Sequence, residues 1–270
     1  AQGARIRTKP RFDDALQAEN ASACRFLPCN RTSNKENQPI QEQRSSQMVC
    51  LNALKGSISM FARLRTFLFS ENVPPAGMQD VFSHLPTLET DRLVLRMARN
   101  RDASDIFMYA SDPQVSEHVL WECHEHYSDS LAYVRYLKSE YREGKPSSWV
   151  MVLKETRKVI GTIGYMEWNE EHKVVEVGYS LGADYWNRGL MTEALSCVMD
   201  FTFSCLPVHR IEAQHEDSNA ASGRVMEKCG MIREGVLQGR VWNKNHYSDV
   251  VMYGVTRERY AMLASAPASR

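Results

Sequence analysis

Residues 175–195 read VEVGYSLGADYWNRGLMTEAL and join a strand pattern to a helix pattern. Apolar residues alternate up to Leu181, and a helix pattern follows Gly189. The first turn of a helix carries free N–H groups and the positive end of the helix dipole, so it binds anions without a lysine. Gly189 allows close backbone approach, while Thr192 and Arg188 add a hydroxyl and a charged donor. The junction predicts a pyrophosphate site, with an ordinary surface turn as the alternative.

The composition and the charge of the chain indicate which binding partners and which cellular compartment to expect. It has 270 residues and a formal net charge of zero, so no overall field favours nucleic acid or an anionic membrane as a partner. Its seven cysteines show no zinc-ribbon spacing, which favours free thiols in a reducing compartment, and we expect a cytoplasmic protein. No apolar run reaches the ~18 residues of a membrane span.

The chain divides into two parts of different character. Residues 1–77 form an extension whose first forty-seven residues are rich in Arg, Asn, Gln and Ser, which is typical of disorder. Residues 48–69 regain apolar side chains and carry only basic charges, so an amphipathic helix is one interpretation and a loosely ordered tail the other. Residues 71–77 read as a linker, and we expect residues 78–270 to form one folded domain.

The second part alternates between helix and strand patterns. Its apolar periodicity predicts two early helices, a three-strand meander, and then a strand–helix–strand–helix unit that ends in a hairpin. This order predicts an α/β fold with a mixed, mostly antiparallel twisted sheet of six to seven strands and about four helices. The segments predicted to be helices are 102–112, 128–144 and 219–228. The segments predicted to be strands are 92–97, 148–154, 159–168, 174–181 and 209–215.

Three stretches carry a resemblance to a known family. They are LPTLETDRLVLR at residues 85–96, the stretch at 175–195, and RIEAQHEDSNAASGRVMEKCGMIREG at residues 210–235. In this order and spacing the chain resembles the GCN5-related N-acetyltransferases (GNAT), and within them the RimJ/RimL-like group that acetylates the N-termini of ribosomal proteins. The resemblance covers roughly residues 84–257 and implies the GNAT fold.

The resemblance also implies a cofactor, acetyl-CoA, and the residues that hold it. In the family the middle stretch is the strand and loop that bind the cofactor, and the last stretch carries an Asn that contacts the pantetheine arm. Two positions of the family's loop pattern differ here, Trp186 and Met191, and the RimJ/RimL-like group tolerates both. The cofactor-binding residues implied are Tyr179, Ser180, Leu181, Arg188, Gly189, Leu190, Met191, Thr192 and Asn219.

For the chemistry, the resemblance implies direct attack of an amine on the thioester in a ternary complex. Glu176 is the candidate base, since it shares a strand face with Gly178 and Ser180. A cross-strand or helix-capping partner is the alternative role, and Glu212 and Glu216 are weaker candidates for the base. Backbone amides along residues 178–181 are the candidate oxyanion donors, and Gly178 would suit a bulge.

The acid that protonates the leaving thiolate needs a separate assignment. Many family members carry a Tyr in the last helix for this step, but Met226 holds that position here. Ser222 lies one turn after Asn219 and is the candidate acid, with a plain helix-face residue as the alternative.

The loop between the two early helices, WECHEHY at residues 121–127, is expected to line the acceptor pocket as the family implies. Adjacent Cys and His residues rarely close a metal site without a further ligand, so we expect no metal. An amine cation could meet aromatic and acidic side chains there, and the last hairpin could close the other side, with plain hairpin packing as the alternative. The candidate acceptor-binding residues are His118, Trp121, Glu122, Trp242 and Tyr247.

The function expected is therefore an acetyl-CoA-dependent N-acetyltransferase. Its acceptor stays open among a protein N-terminal α-amine, a polyamine and an antibiotic amine, and a homodimer is compatible with the sequence. The alternative function is a non-catalytic acyl-CoA-binding regulatory module whose extension recruits a partner.

Overall fold

The computed structural model describes residues 77–265, so the proposed helix at 48–69 and residues 71–76 of the linker lie outside the described part. The α-helices are α1 (Met78–Ser83), α2 (Ala103–Ala110), α3 (Pro113–Ser116), α4 (Tyr127–Glu143), α5 (Leu190–Cys205), α6 (Ala220–Lys228) and α7 (Arg257–Ser265). The strands are β1 (Leu88–Glu89), β2 (Leu93–Arg96), β3 (Ser148–Leu153), β4 (Val159–Asn169), β5 (Val174–Leu181), β6 (Arg210–Glu216), β7 (Ile232–Asn243) and β8 (His246–Thr256).

One mixed sheet organises the described residues. Its strand order is β1-β2-β3-β4-β5-β6-β8-β7, and every neighbouring pair is antiparallel except β5 and β6. The parallel pair requires a crossover, and α5 supplies it between the two strands. The expected α/β architecture with a mixed, mostly antiparallel sheet is confirmed.

Helices cover the two faces of this sheet. On one face α5 packs over β4, where the Tyr165 hydroxyl bonds the Thr202 hydroxyl at 2.7 Å and both side chains are buried. On the other face α2 packs over β4, and α4 packs against α2. Val134 and Leu137 of α4 are buried on the apolar stripe that the sequence predicts, and the helix ends at Gly144 as expected. Burial of apolar side chains on both faces stabilises the sheet.

The element count differs from the expectation of six to seven strands and about four helices. The described part has eight strands and seven α-helices. The extra strand, β1, has two residues and pairs only with β2, so it is too short to show alternation. Helices α1 and α3 have six and four residues, which is too short for a clear helical period.

Asp102 directly precedes the first residue of α2, but its side chain does not cap that helix. Its carboxylate accepts hydrogen bonds from both terminal nitrogens of Arg96, at 2.7 and 2.8 Å, and from the Arg99 backbone N–H at 2.7 Å. The side chain makes no capping bond to α2. A bidentate guanidinium competes well for a buried carboxylate, so it takes the oxygens that a cap would have used.

Candidate active site

A gap opens in the sheet between β5 and β6. The two strands pair only over three residues, from Val174↔Arg210 to Glu176↔Glu212. Beyond Glu176, β5 continues to Leu181 paired with β4 alone, while β6 stays paired with β8. The backbone donors of residues 178–181 that point away from β4 therefore face an open cleft, as proposed from the sequence.

Two helices begin at the open end of this gap. Because β5 and β6 are parallel, their carboxyl ends lie at the same edge, and α5 and α6 follow them directly. The positive ends of both helix dipoles therefore face this edge of the sheet. An anionic ligand entering the gap meets two favourable helix ends.

The strand-to-helix junction has the backbone that an anion site needs. Gly189 is the N-cap of α5 with φ +72°, a left-handed conformation that suits glycine. The first bond of the helix runs from the Glu193 N–H to the Gly189 carbonyl at 3.0 Å. The N–H groups of Leu190, Met191 and Thr192 precede it and have no carbonyl partner within the helix. These features fit a diphosphate.

Leu190 and Met191 can contribute to that site only through their backbone. Their side chains are buried in the apolar core, at 3% and 5% exposure. Arg188 lies outside, with its guanidinium 5.7 Å from the Tyr185 ring. The Trp186 indole donates to the Leu181 carbonyl at 2.7 Å, so it ties the end of β5 to the junction.

A carboxylate missed by the sequence analysis fixes this junction in place. Glu193 accepts hydrogen bonds from the Thr90 hydroxyl and from the Arg92 backbone and guanidinium, the last at 2.6 Å. Arg92 also donates to the Arg188 carbonyl at 2.9 Å. Burial alone would raise the pKa of Glu193, but the bonds from Thr90 and Arg92 lower it below its usual value. The LETDRL motif thus anchors the helix start.

Glu176 stands where the paired part of β5 and β6 ends. It is half-buried, and one carboxylate oxygen accepts a 2.8 Å hydrogen bond from the Gln214 amide. Burial raises the pKa of Glu176; the bond from Gln214 lowers it, and the neighbouring carboxylates of Glu167 and Glu212 raise it further. A carboxyl group held by one neutral donor can accept a proton, whereas Glu212 is engaged by Arg210 at 2.7 Å.

The bulge expected at Gly178 lies on the opposite strand. Tyr165 pairs with Val177 and Glu167 with Glu176, so Met166 of β4 is the extra residue. Gly178 itself stays in register. Gly178 has no side chain, which leaves room for the side chain of Met166 from the bulged strand.

Ser180 and Tyr179 lie on opposite faces of β5. The Ser180 hydroxyl bonds the Thr162 hydroxyl at 3.1 Å, and the Tyr109 hydroxyl joins this pair. The Tyr179 hydroxyl bonds the Ser222 hydroxyl at 2.9 Å and donates to the Ser222 carbonyl at 3.2 Å. The structure therefore brings Tyr179 and Ser222 together across the gap.

Asn219 is the N-cap of α6. Its side-chain oxygen accepts the Ser222 N–H at 3.2 Å. Met226, at the family's Tyr position, is 1% exposed and packs into the core below the helix. Asn219 and Ser222 lie on one face of the helix start, as expected.

The end of α3 and the loop that follows it meet the last hairpin at one place. Lys244 of the hairpin turn donates to three carbonyls, those of Ser116, Glu117 and Val119, the last at 2.9 Å. His118 lies 3.3 Å from the Ser218 hydroxyl. This contact brings one predicted acceptor residue to the carboxyl end of β6.

The other predicted acceptor residues lie in the same loop and in the same hairpin. Trp121 is half-buried and packs on the His124 ring with 5.5 Å between centroids, while Glu122 is exposed. Trp242 and Tyr247 are cross-strand partners of the hairpin with centroids 4.8 Å apart, and they are 58% and 70% exposed.

The Cys and His residues of the 121–127 loop make contacts of a structural kind. The Cys123 thiol lies 3.6 Å from the Ala110 carbonyl, and His124 bonds the Ser130 hydroxyl at 2.7 Å. Burial lowers the pKa of His124. Among the described residues no group of three or more His, Cys, Asp and Glu side chains has the geometry to hold a metal ion.

The comparisons with known proteins agree with this geometry. The family model described as Acetyltransferase (GNAT) domain matches residues 92–232, which is more than half of the chain and includes the gap and both helix starts. The chain belongs to the GNAT family of acetyltransferases. It is an N-acetyltransferase that uses acetyl-CoA.

Relatives of this GNAT chain include the uncharacterized N-acetyltransferase YoaA of Bacillus subtilis, which is 31% identical over 174 residues, or 64% of this chain and 98% of YoaA. The [ribosomal protein uS5]-alanine N-acetyltransferase of Escherichia coli is 25% identical over 177 residues, or 63% of this chain and 90% of that enzyme. A GNAT acetyltransferase structure from Bacillus anthracis has a TM-score of 0.57 and 26% identity, and the match covers 64% of this chain and 99% of that one.

Structures of more distant GNAT proteins were solved with the cofactor. The microcin C7 self-immunity acetyltransferase MccE was solved with acetyl-CoA and AMP; its TM-score is 0.57 at 19% identity, and the match covers 62% of this chain and 93% of MccE. RimL, a ribosomal L7/L12 α-N-protein acetyltransferase, was solved with coenzyme A, with a TM-score of 0.57 at 16% identity over 62% of this chain and 95% of RimL. At these identities the likeness shows the fold.

Within residues 77–265 no helix has the length and apolar character to cross a bilayer.

Proposed function

We propose that this chain transfers the acetyl group of acetyl-CoA directly to a primary amine, either a protein N-terminal α-amine or the amine of a small molecule. The observation that carries the proposal is the position of Glu176 at the end of the gap, half-buried, with Gln214 as its hydrogen-bond donor. The E. coli relative that acts on ribosomal protein uS5 supports a peptide acceptor.

Residues of the junction and of α6 hold the cofactor in this proposal. The amides of Leu190, Met191 and Thr192 and the guanidinium of Arg188 bind the diphosphate. Asn219 uses its side-chain oxygen as a helix cap, so its NH₂ group is the part that donates to the pantetheine arm.

Bound acetyl-CoA supplies an activated acetyl carbon, to which the amine nitrogen adds as the carbon–sulfur bond breaks. Free amides of β5 between residues 178 and 181 donate to the oxygen on which negative charge develops. Glu176 accepts the proton that the amine loses, directly or through a water molecule. Its raised pKa, caused by burial, strengthens it as a base.

Ser222 donates a proton to the departing thiolate, and solvent returns one to it. Tyr179 lies beside this group: its hydroxyl donates to the Ser222 carbonyl, and the Tyr179 and Ser222 hydroxyl oxygens are 2.9 Å apart. Burial raises the pKa of Tyr179, so its hydroxyl stays protonated at neutral pH.

The test is a thiol-release assay of the full chain with acetyl-CoA and a panel of small amines and N-terminal peptides, with acetylated products identified by mass. Glu176→Gln should lower kcat by about 100-fold or more. It should leave the KM for acetyl-CoA unchanged. Glu171→Gln, an exposed carboxylate in the turn after β4, is the matched control and should keep full activity. An unchanged kcat would remove Glu176 from the mechanism, and the same outcome with Ser222→Ala would remove Ser222.

Thermal unfolding separates loss of function from loss of fold. The pKa of Glu176 is higher in the folded protein than in the unfolded chain. The stabilisation of the fold that results is present at low pH, where Glu176 is protonated, and is lost as the pH rises through the folded-state pKa. Glu176→Gln avoids this cost, so at pH 7.5 the variant should unfold at a temperature at least as high as the wild type. Saturable acetyl-CoA binding with no transfer to any amine would favour the non-catalytic module instead.

A further inference from the structure

Met166 has an unusual place on β4. It is the extra residue of a bulge, since its neighbours Tyr165 and Glu167 pair with the adjacent residues Val177 and Glu176. Its side chain is 50% exposed, in a strand whose first seven residues are buried. A large apolar side chain at a bulge beside a cleft calls for an explanation, because bulges often re-aim a side chain at a functional site.

The side chain of Met166 lies over Gly178. A Cβ atom added at Gly178 would meet the Met166 Cγ at 2.8 Å and Sδ at 2.9 Å, and its three nearest neighbours would all belong to Met166. The thioether therefore occupies the space that any larger residue at 178 would fill. Since Glu176, Gly178 and Ser180 share one strand face, Met166 covers that face between the carboxylate and the Ser180 hydroxyl.

Met166 and Gly178 lie beside the end of the gap at which β5 and β6 become paired. The pairing of β5 with β6 ends at Glu176↔Glu212, so a ligand that extends down the gap stops next to Glu176 and Gly178. An amine that gives its proton to Glu176 must approach from the face on which that carboxylate lies. Met166 stands on this face, one residue before Glu167, the cross-strand partner of Glu176.

We propose that Met166 is a specificity-determining residue that limits the size of the group on the amine-bearing carbon of the acceptor. This inference rests on the proposed function. Amines on an unbranched carbon, or a glycine N-terminus, fit beside the thioether, whereas a large branch at that carbon meets it. An apolar wall of this size discriminates by about tenfold or more.

The experiment measures kcat/KM for pairs of amines that differ only at the amine-bearing carbon. Each unbranched amine is compared with its branched counterpart, and glycine-starting peptides are compared with leucine-starting peptides of otherwise equal sequence. The variants are Met166→Ala, which opens the wall, and Met166→Leu, which conserves its volume. Met108→Ala, a side chain 74% exposed on α2, is the matched control.

The wild type, Met166→Leu and Met108→Ala should prefer the unbranched member by about tenfold or more, and Met166→Ala should reduce that preference to within about twofold. A wild type without the preference, or Met166→Ala with the preference intact, overturns the inference while leaving acetyl transfer established. No transfer to any amine by the wild type means that the proposed function itself fails, and the inference with it.

Unfolding free energies test the contact independently of activity. Gly178→Ala should destabilise the wild type, because its methyl group must displace the Met166 side chain. In the Met166→Ala background the same change should cost markedly less. Equal costs in the two backgrounds would contradict the contact on which the inference depends.

Discussion

Glu176 lies among groups with opposing effects on its protonation. Burial and two neighbouring carboxylates raise its pKa, and the Gln214 amide lowers it. Glu167 is the neighbour best suited to a test, because it is exposed and is the cross-strand partner of Glu176. At the residue scale, the pH dependence of kcat therefore reports on this pair of carboxylates.

We expect kcat at saturating acceptor to fall as pH decreases through a value above the usual pKa of a glutamate, because the protonated base is inactive. Glu167→Gln removes a negative charge and should move this acid limb to lower pH, most clearly at low ionic strength. The measurement is the pH profile of kcat for both proteins. If the two pH profiles superimpose, Glu176 is not the group whose protonation lowers kcat at acidic pH.

Ser222 and Glu176 were both proposed from the sequence, since each lies at a fixed spacing within one short segment. Gln214 and Met166 were not identified. Their importance depends on which strands are neighbours and on a one-residue shift in register, and no local pattern encodes either of these.

At the element scale, the start of α5 is held by a residue pair more than one hundred positions apart. Glu193 receives bonds from Thr90 and Arg92, and Arg92 also reaches the Arg188 carbonyl. Local periodicity predicted the strand, the junction and the helix correctly. The anchor was missed because nothing in the pattern shows that β1 and β2 lie beside this helix end.

Glu193→Ala should loosen the junction and raise the KM for acetyl-CoA by about tenfold, since small displacements of binding groups are costly. It should also lower the free energy of unfolding by about 1–2 kcal/mol, because the half-buried Thr90 hydroxyl and the exposed Arg92 lose their acceptor. Steady-state kinetics and denaturant unfolding measure the two effects. Glu171→Ala, on the surface, is the control, and an unchanged KM in Glu193→Ala would show that the anchor does not support cofactor binding.

At the scale of the whole molecule, residues 78–265 account for the site. All the residues that we assign to cofactor, base and acid lie between Glu176 and Ser222. The extension at 1–77 was expected to form a separate part, because its first forty-seven residues are rich in Arg, Asn, Gln and Ser, which is typical of disorder.

We therefore expect a chain that starts at Met78 to keep the affinity for acetyl-CoA and the kcat of the full chain within about twofold, as for an independent domain. Calorimetry and the thiol-release assay on both proteins make the comparison. Loss of cofactor binding in a shortened chain that still unfolds cooperatively would place the extension in the active unit.

The central claim is that helix-start amides beyond Gly189 bind the diphosphate of acetyl-CoA. Titration calorimetry of the full chain with acetyl-CoA and with S-acetylpantetheine, which lacks the diphosphate and nucleotide, tests it most directly. We expect saturable binding of acetyl-CoA and an affinity for S-acetylpantetheine that is lower by about 100-fold or more, since anion contacts at a helix start and at Arg188 are lost. Absence of saturation by acetyl-CoA, or equal affinity for the two ligands, would contradict the account.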